Sequence, residues 1–272
     1  MFYIRTIKLL TLSIMKQFLF SSLLLSLLIC YSGNSYAQDN EFAAKWRLNV
    51  SGGLGYLTSA EKNTMTATGF GETIDKIVKE MSNDLKNGIQ GGVDAHYLIN
   101  KNIGLGVKYS FFTANGNLEK HLNISGTSGF PNLALETKAT DYVHFVGPSL
   151  HIRSFIGSSP FAYSLTLSGG YAHYRGELSL DGYFYDSYNK YPPKDFPFRV
   201  LSKDDTFGAF GGLGIEYLLN KNVALGFDIG YYYLSFNEVK VKTSKKETEE
   251  FVDKGDNNYS RLDFSLGLKI YF

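Results

Sequence analysis

The chain has 272 residues and is rich in glycine and aromatic residues, with 28 Gly, 20 Tyr and 21 Phe. Its formal net charge of +1 argues against a nucleic-acid-binding role, because phosphates select a basic protein surface. The single cysteine, Cys30, lies in a segment that we expect to be removed, with lipidation of this residue as the alternative. The mature chain would then have neither a disulfide nor a cysteine-based metal site.

The first 37 residues have the features of an export signal. A lysine beside Met15 precedes an apolar run over residues 18–29, and Ser35-Tyr36-Ala37 matches a small-x-Ala cleavage site. The run is shorter than the ~20 apolar residues that a transmembrane helix needs. We therefore predict a signal peptide over residues 1–37, with Met15 as an alternative start, and a short periplasmic lead-in over residues 38–45. If the first methionine is the start, an uncleaved anchor is the alternative.

Eight later segments alternate large apolar residues with small or polar ones, a pattern typical of β-strands. The fifth is the most regular, since Phe, Tyr and Leu alternate there with Ala, Ser, Thr and Gly. In the fourth the alternation fails around Gly147-Pro148, and because proline lacks a ladder donor we predict a bulge there. The segments cover residues 46–56, 89–97, 103–111, 140–153, 161–172, 207–217, 223–231 and 261–272.

The small residues of the polar faces indicate which side of the strands meets lipid. A soluble barrel such as a lipocalin would expose Lys, Glu and Asp, whereas small residues fit the crowded lumen of a narrow membrane barrel. Short and long connections also alternate, as in outer-membrane barrels. The short ones cover residues 100–102, 155–160 and 220–222, and the long ones about residues 59–87, 114–138, 175–205 and 237–258.

These patterns predict the fold class and the location of the protein. We expect an all-β fold: an eight-stranded antiparallel transmembrane β-barrel over residues 46–272, with short periplasmic turns and long extracellular loops. The barrel would lie in the outer membrane of a Gram-negative bacterium, and an even strand number would place both termini in the periplasm. Closure is required because each unpaired backbone group in lipid costs several kcal/mol.

One hairpin is repeated within the chain, because residues 91–109 align with residues 211–229 and share an Asn-Lys-Asn turn. In an eight-stranded barrel the copies face each other, which places Lys108 opposite Asp228 and His96 opposite Glu216. We predict complementary charges across the lumen, in a network of Arg47, Asp94, His96, Lys108, Glu216, Asp228, Asp263 and Lys269. Such a network is either a structural plug, since buried charges need partners, or a gated path for protons or ions.

The last segment alternates apolar residues up to a terminal aromatic residue: Leu262, Phe264, Leu266, Leu268, Ile270 and Phe272. Together with the export signal and the eight segments, this pattern resembles the small outer-membrane β-barrel proteins. That family includes OmpA-, OmpX- and OmpW-like barrels and the outer membrane protein beta-barrel domain group. The resemblance covers residues 46–272. It implies contact with outer-membrane lipid and recognition of Phe272 by the barrel assembly machinery, and it implies roles from adhesion to the passage of small solutes.

Motifs for catalysis are weak. The chain has five histidines but no Gly-x-Ser-x-Gly elbow, and His144 with Ser149 is the best candidate pair for a lipid-modifying enzyme. No spacing is typical of a metal site, and we expect no cofactor.

Two of the long connections carry distinctive residues. In the first, helical spacing of Ile74, Ile77, Val78, Met81 and Leu85 predicts a short amphipathic helix that caps the barrel or contacts a membrane or a partner. The third carries aromatic residues that suit glycan or protein contacts, or an extended hairpin at the membrane interface: Tyr183, Phe184, Tyr185, Tyr188 and Tyr191.

Three functional interpretations follow. The leading one is a non-enzymatic barrel that has a structural role or binds an extracellular ligand or protein through its loops. The second is a narrow, porin-like pore or transporter for small solutes. The third is an outer-membrane lipid-modifying enzyme.

Overall fold

The computed structural model describes residues 44–58, 83–122, 132–157, 159–185, 190–191, 198–243 and 250–272. No helix in this part of the chain is long and apolar enough to cross a membrane. The strands are β1 Trp46–Leu57, β2 Asn87–Leu98, β3 Ile103–Leu122, β4 Asn132–Phe155, β5 Phe161–Tyr185, β6 Lys190–Tyr191, β7 Phe198–Leu218, β8 Val223–Tyr233, β9 Ser235–Thr243, β10 Glu250–Asn258 and β11 Arg261–Tyr271.

Eight strands form a closed antiparallel barrel in the order β1-β2-β3-β4-β5-β7-β8-β11, and β11 pairs with β1 to complete it. Following paired residues once around the barrel from Arg47 leads back to β1 at Leu57, ten residues further along. Such a stagger tilts the strands by roughly 40° and leaves an interior that side chains fill. The predicted eight-stranded antiparallel barrel is confirmed.

The two faces of the strands point in the predicted directions. Charged and small residues of the predicted polar faces lie inside the barrel, and the large apolar residues lie outside. Leu165 is less exposed than the other large residues of the outer face. It lies on that face between Ile152 and Leu213 and is only 8% exposed. Exposed residues of the outer face include Val50, Leu54, Ile89, Leu105, Val107, Leu213, Leu225, Leu266 and Leu268.

Aromatic rings mark the two edges of this apolar surface. At the end with the short turns, Phe161 and Tyr217 pack with their ring centroids 5.0 Å apart. Toward the other end, Tyr171 packs edge-on against Phe207 at 6.4 Å. Since aromatic residues concentrate at membrane interfaces, the membrane-spanning part of β5 runs from Phe161 to Tyr171, and the rest of the strand projects beyond the membrane.

Much of the predicted long loops is strand, which corrects the prediction. β3, β4, β5 and β7 have 20, 24, 25 and 21 residues, about twice the ~10 that cross a membrane. β9 and β10 pair with each other and extend β8 and β11 in the same direction. Alternation does not reveal these extensions, because neither face of a strand meets lipid outside the membrane.

The strand β4 passes Pro148 without a bulge, so the predicted bulge is wrong. Val146 pairs with Tyr171 and Ser149 with Ser168, which is the same register on both sides of the proline. The two backbones approach closely here, since a Cβ on Gly147 would lie 2.3 Å from a carbonyl oxygen of β5. Glycine therefore allows the strands to keep their register beside a residue that lacks a donor.

The repeated hairpins form two equivalent turns, between β2 and β3 and between β7 and β8. Asn100 accepts hydrogen bonds from the backbone amides of Asn102 and Ile103, and Asn220 does the same in the second turn. The Asn102 side chain donates to the Arg153 carbonyl of β4 at 2.8 Å, and the second copy makes the equivalent contact to β11 at 2.8 Å. The repeat thus builds this end of the barrel twice, four strands apart.

Leu266 tests the orientation of the outer face, because it is 70% exposed near the middle of β11. An arginine at the bilayer midplane costs ~2–4 kcal/mol. We expect Leu266→Arg to reduce the folded fraction after refolding into lipid vesicles, whereas Leu266→Phe folds like the wild type. Heat-modifiable migration in gels measures that fraction. Equal folding of the two variants would mean that this position does not face lipid.

Candidate functional site in the barrel lumen

Charged side chains fill the half of the lumen nearest the short turns. Glu216 on β7 is fully buried and lies 3.2 Å from the Lys269 ammonium and 3.4 Å from the Arg47 guanidinium. The Tyr271 hydroxyl donates to the same carboxylate, and His151 Nε2 lies 3.9 Å away. Burial of a charge requires such partners, and Glu216 receives them from three strands.

A second carboxylate, Asp94 on β2, lies beside the first. Arg47 donates to it, and the Asn49 side-chain amide donates to it at 2.8 Å. His96 Nδ1 lies 3.2 Å away, and Lys108, its cross-strand neighbour, lies 3.9 Å away. Because Arg47 contacts both carboxylates, it joins them in one network.

Farther from the short turns, two cations lie against aromatic rings. Lys108 Nζ is 4.3 Å from the centre of the Phe210 ring. The Arg261 guanidinium is 4.1 Å from the centre of the Tyr232 ring, and its Nε donates to Asp263 at 3.0 Å. Aromatic faces attract desolvated cations, so these rings stabilise charge where fewer carboxylates are near.

All eight side chains of the predicted network line the lumen, but their partners differ from the prediction. Lys269 binds Asp228 at 2.9 Å and Glu216 at 3.2 Å. Lys108 and His96 both lie next to the carboxylate on β2 instead. The predicted pairs across the lumen, Lys108 with Asp228 and His96 with Glu216, are therefore wrong.

Several contacts run along the barrel wall because glycine leaves that wall free of side chains. Gly226 on β8 pairs with Glu216 on β7. Lys269 belongs to β11, which pairs with the opposite edge of β8. A Cβ on Gly226 would lie 2.3 Å from Lys269 Cε. The lysine thus passes over β8 to reach the carboxylate, a route that residue alignment across the lumen does not reveal.

A cavity of about 30 Å³ lies between the charged groups. It has room for one or two water molecules and none for a larger solute. Asn49, Gln90, Lys108 and Asp263 are among its lining residues. Three buried atoms on its lining residues have no hydrogen-bond partner within the described protein: Arg47 Nε, Asn49 Oδ1 and Gln90 Nε2. A small polar cavity of this kind suits bound water.

An apolar cluster fills the lumen beyond the charges, toward the end with the long strands. Phe145 packs edge-on against Tyr232 with centroids 5.3 Å apart, and Tyr174 packs on Tyr259 at 4.3 Å. We call this cluster the aromatic plug; its buried members are Leu57, Phe112, Ala114, Val143, Phe145, Ala172, Tyr174, Tyr232, Leu234, Phe236 and Tyr259.

One carboxylate is buried in the aromatic plug. Asp141 accepts a hydrogen bond from the Tyr174 hydroxyl at 2.8 Å. It pairs with Gly176, five residues beyond Tyr171, and therefore lies outside the membrane-spanning part of the barrel. Burial raises the pKa of Asp141 to about 6. Below that pH the carboxyl is neutral, and the plug then carries no buried charge at this position.

The aromatic plug was not predicted, although the alternation of inward and outward residues along the strands identifies its members. Counting every second residue from Lys108 along β3 places Ser110, Phe112 and Ala114 inside. The expectation of small residues in the lumen fails there, because large rings fill the wider gap that glycines leave. A Cβ on Gly55 would lie 2.8 Å from the Phe112 ring.

The aromatic residues of the third connection are described as backbone only. Tyr183, Phe184 and Tyr185 end β5 in pairing with β4, and Tyr191 in β6 pairs with Phe184. Tyr188 lies outside the described residues. An extended hairpin is thus present at this position, and its contacts with ligands stay a prediction.

The predicted helix of the first connection lies mostly outside the described residues. Ile74, Ile77, Val78 and Met81 are not described, whereas Leu85 packs against the aromatic plug. Phe272, the predicted assembly signal, is exposed at the end of the chain, where its carbonyl accepts hydrogen bonds from the Lys45 and Trp46 amides.

The predicted catalytic pair is separated by the wall of the barrel. His144 lies on the outer face, with Nδ1 2.9 Å from the Tyr109 hydroxyl. Ser149 lies in the lumen, with Oγ 2.8 Å from His96 Nε2. The two side chains therefore cannot act together. Among the described residues, no group of three His, Cys, Asp or Glu side chains could hold a metal ion.

Comparison with known families identifies the fold at the level of sequence. The model of the outer membrane protein beta-barrel domain matches residues 22–272. The chain belongs to this family. It is therefore an outer-membrane β-barrel protein, as the closed barrel with its apolar outer surface also indicates.

Solved structures with a similar fold are distant in sequence. A major outer membrane protein from Thermus thermophilus is 14% identical, with a TM-score of 0.48 over 85% of this chain and 100% of that one. OprG from Pseudomonas aeruginosa is 11% identical, with a TM-score of 0.38 over 84% and 97%. Ail, the attachment invasion locus protein of Yersinia pestis, is 14% identical, with a TM-score of 0.36 over 84% and 99%. A search of curated proteins found no match.

A double-mutant cycle tests the contacts along the wall. Glu216→Gln leaves Lys269 with one carboxylate fewer, and an uncompensated buried charge costs ~3–5 kcal/mol. We expect the double variant Glu216→Gln/Lys269→Gln to lose less free energy of unfolding than the sum of the two single variants. The measurement is urea unfolding in lipid vesicles.

The matched control is the pair Lys108→Gln and Asp228→Asn, which the structure does not join. Its coupling free energy should be smaller than that of the first pair. A larger coupling for Lys108 with Asp228 would restore the contact across the lumen and contradict the structure.

Proposed function

We propose that this protein is a non-enzymatic barrel with a closed lumen, which binds a ligand or protein at the cell surface through its extracellular strands and loops. The proposal rests on one observation above all, the division of the molecule into a filled lumen and long strands beyond the membrane. The filled lumen argues against a transport role, and the long strands provide a surface for contact.

The lumen is obstructed at two successive levels. Near the short turns, Arg47, Glu216 and Lys269 form ion pairs across and along the interior. Toward the other end, the aromatic plug places Phe112, Phe145 and other rings in the path. The cavity between them is about 30 Å³, which suits water but not a solute. These features support the interpretation of the network as a structural plug.

The strands β3, β4, β5 and β7 continue well beyond the belt formed by Tyr171 and Phe207. Their extensions pair with each other, as in Glu119 with Glu136 and Leu178 with Val200. A paired sheet is more rigid than a set of loops, so it offers a partner a preformed surface at low entropic cost. The aromatic residues around Tyr183 lie at the far end of this sheet.

Orientation and export belong to the same proposal. The start of β1, the end of β11 and the short turns lie at one end of the barrel, which supports periplasmic termini. The proposal includes removal of the signal peptide over residues 1–37 and recognition of the last strand, ending at Phe272, by the barrel assembly machinery.

Conductance in a planar bilayer tests the closed lumen. We expect the refolded wild type to show no steady openings, while gel migration shows that it is folded. The variant Phe112→Ala/Phe145→Ala removes two rings from the plug and leaves the ion pairs near the short turns in place, so it should also show no steady openings. Discrete wild-type openings would instead favour a narrow pore and sink the closed-lumen proposal.

Binding at the surface requires a separate test, on cells that display the protein. We expect binding to some members of a panel of glycans and extracellular proteins, and weaker binding for Tyr183→Ser/Tyr185→Ser/Tyr191→Ser. The same number of tyrosines replaced near the short turns, as Tyr97→Ser/Tyr163→Ser/Tyr217→Ser, is the control. Equal loss in both variants would argue that the hairpin is not the contact surface.

A further inference from the structure

Like charges face each other on the outer surface of the barrel. Arg175 on β5 pairs in register with Lys203 on β7. The side chains of Arg175 and Lys203 are exposed on the outer face. Like charges directly opposite each other across two strands are destabilising. The arrangement is therefore costly unless each cation has an anion beside it.

The charged row lies at the height of the lipid headgroups. Along the same two strands, Tyr171 pairs with Phe207 in the aromatic belt, four residues before Arg175 and four after Lys203. Four residues of strand span about 13 Å, or roughly 10 Å along the membrane normal at this tilt. Headgroups occupy the layer just outside the hydrocarbon core, and the long side chains of Arg and Lys reach into it.

The carboxylates near the row have partners of their own. Glu177 accepts a hydrogen bond from Arg175, and Asp205 accepts one from Tyr171 and lies 2.6 Å from His173 Nδ1. Within the described part of the chain, no carboxylate lies at ion-pair distance from Lys203. Glu177 thus already balances the charge of Arg175, and the ammonium of Lys203 is the charge left to be balanced from outside the protein.

We propose that Tyr142, Arg175 and Lys203 form a binding site for the phosphate of an anionic lipid in the outer leaflet. Tyr142 is the cross-strand neighbour of Arg175 on β4, and its ring is exposed on the same face. A phosphate oxygen accepts hydrogen bonds from the guanidinium fork, the ammonium and the phenol at once. The belt residues Tyr171 and Phe207 lie below, where the acyl chains of the same lipid run.

The site selects a lipid rather than a dissolved anion because of where it faces. The row lies on the outer wall, directly above residues that contact the membrane, and not at the mouth of the lumen. A headgroup is concentrated there by the membrane itself, whereas a free phosphate is subject to screening by salt. The inference is independent of what the extracellular strands bind.

Urea unfolding in two kinds of vesicle tests the site. The protein is refolded into phosphatidylcholine alone or into phosphatidylcholine mixed with phosphatidylglycerol. We expect the anionic lipid to raise the unfolding midpoint of the wild type. For Arg175→Gln/Lys203→Gln most of this rise should vanish, since each cation near a membrane surface changes anionic-lipid affinity roughly fivefold.

The neutral vesicles add a readout that a merely structural role would not produce. Without an anionic lipid the two cations repel each other, so Arg175→Gln/Lys203→Gln should be as stable as the wild type or more stable. The matched control, Lys101→Gln/Lys221→Gln, removes two charges from the short turns at the opposite end. It should keep the full response to phosphatidylglycerol.

Three outcomes would overturn the proposal. The first is an equal response of both double variants to phosphatidylglycerol, which would mean a general effect of surface charge. The second is the same rise when inorganic phosphate is added to neutral vesicles, which would make this a site for free anions. The third is a loss of stability of Arg175→Gln/Lys203→Gln in both kinds of vesicle, which would make the two cations structural.

Discussion

The need to pair every backbone group inside a membrane determines the rest of this structure. In lipid an unpaired amide or carbonyl costs several kcal/mol, so the sheet must close. With eight strands and a stagger of ten residues, closure leaves an interior that side chains can fill. The closed wall therefore limits which side chains the lumen can hold, because each side chain that points inward is buried and must be packed or paired.

The lumen meets this requirement in two different ways along its length. Near the short turns, buried charges compensate each other, and Glu216 has partners on β1, β4 and β11. Toward the long strands, rings such as Phe145 and Tyr232 pack together. Lys108 and Arg261 lie at the transition, where aromatic faces take part in stabilising them. Packed rings and paired charges both fill the lumen, although their chemistry is opposite.

The fold was predictable because lipid on one face and a crowded lumen on the other require apolar residues to alternate with small or polar ones. This requirement applies only inside the membrane. Beyond Tyr171, residues of β5 are still paired with β4 and β7, yet their outer face no longer meets lipid and the alternation no longer identifies them as strand. The sheet beyond the membrane was accordingly predicted as loops, and its existence depends on pairing between strands that are distant in sequence.

The lumen residues were predictable, but their partners were not. Successive side chains of a strand point alternately inward and outward. Arg47, Asp94, Glu216 and Lys269 could therefore be assigned to the lumen from the sequence. Partner choice depends on which wall positions lack a side chain, and Gly226 makes room for Lys269 along the wall. Pairing between the aligned repeat positions is the natural assumption, and it fails because Lys108 and His96 both lie next to Asp94 instead.

The two ends of the barrel differ in structure. At the short turns, Asn100 and Asn220 close equivalent hairpins. At the other end, strands from the same sheet continue past the belt and carry Arg175 and Lys203 four residues beyond it. Contacts of these side chains with lipid would fix the height of the barrel in the membrane, and hence the position of the strands that project beyond it.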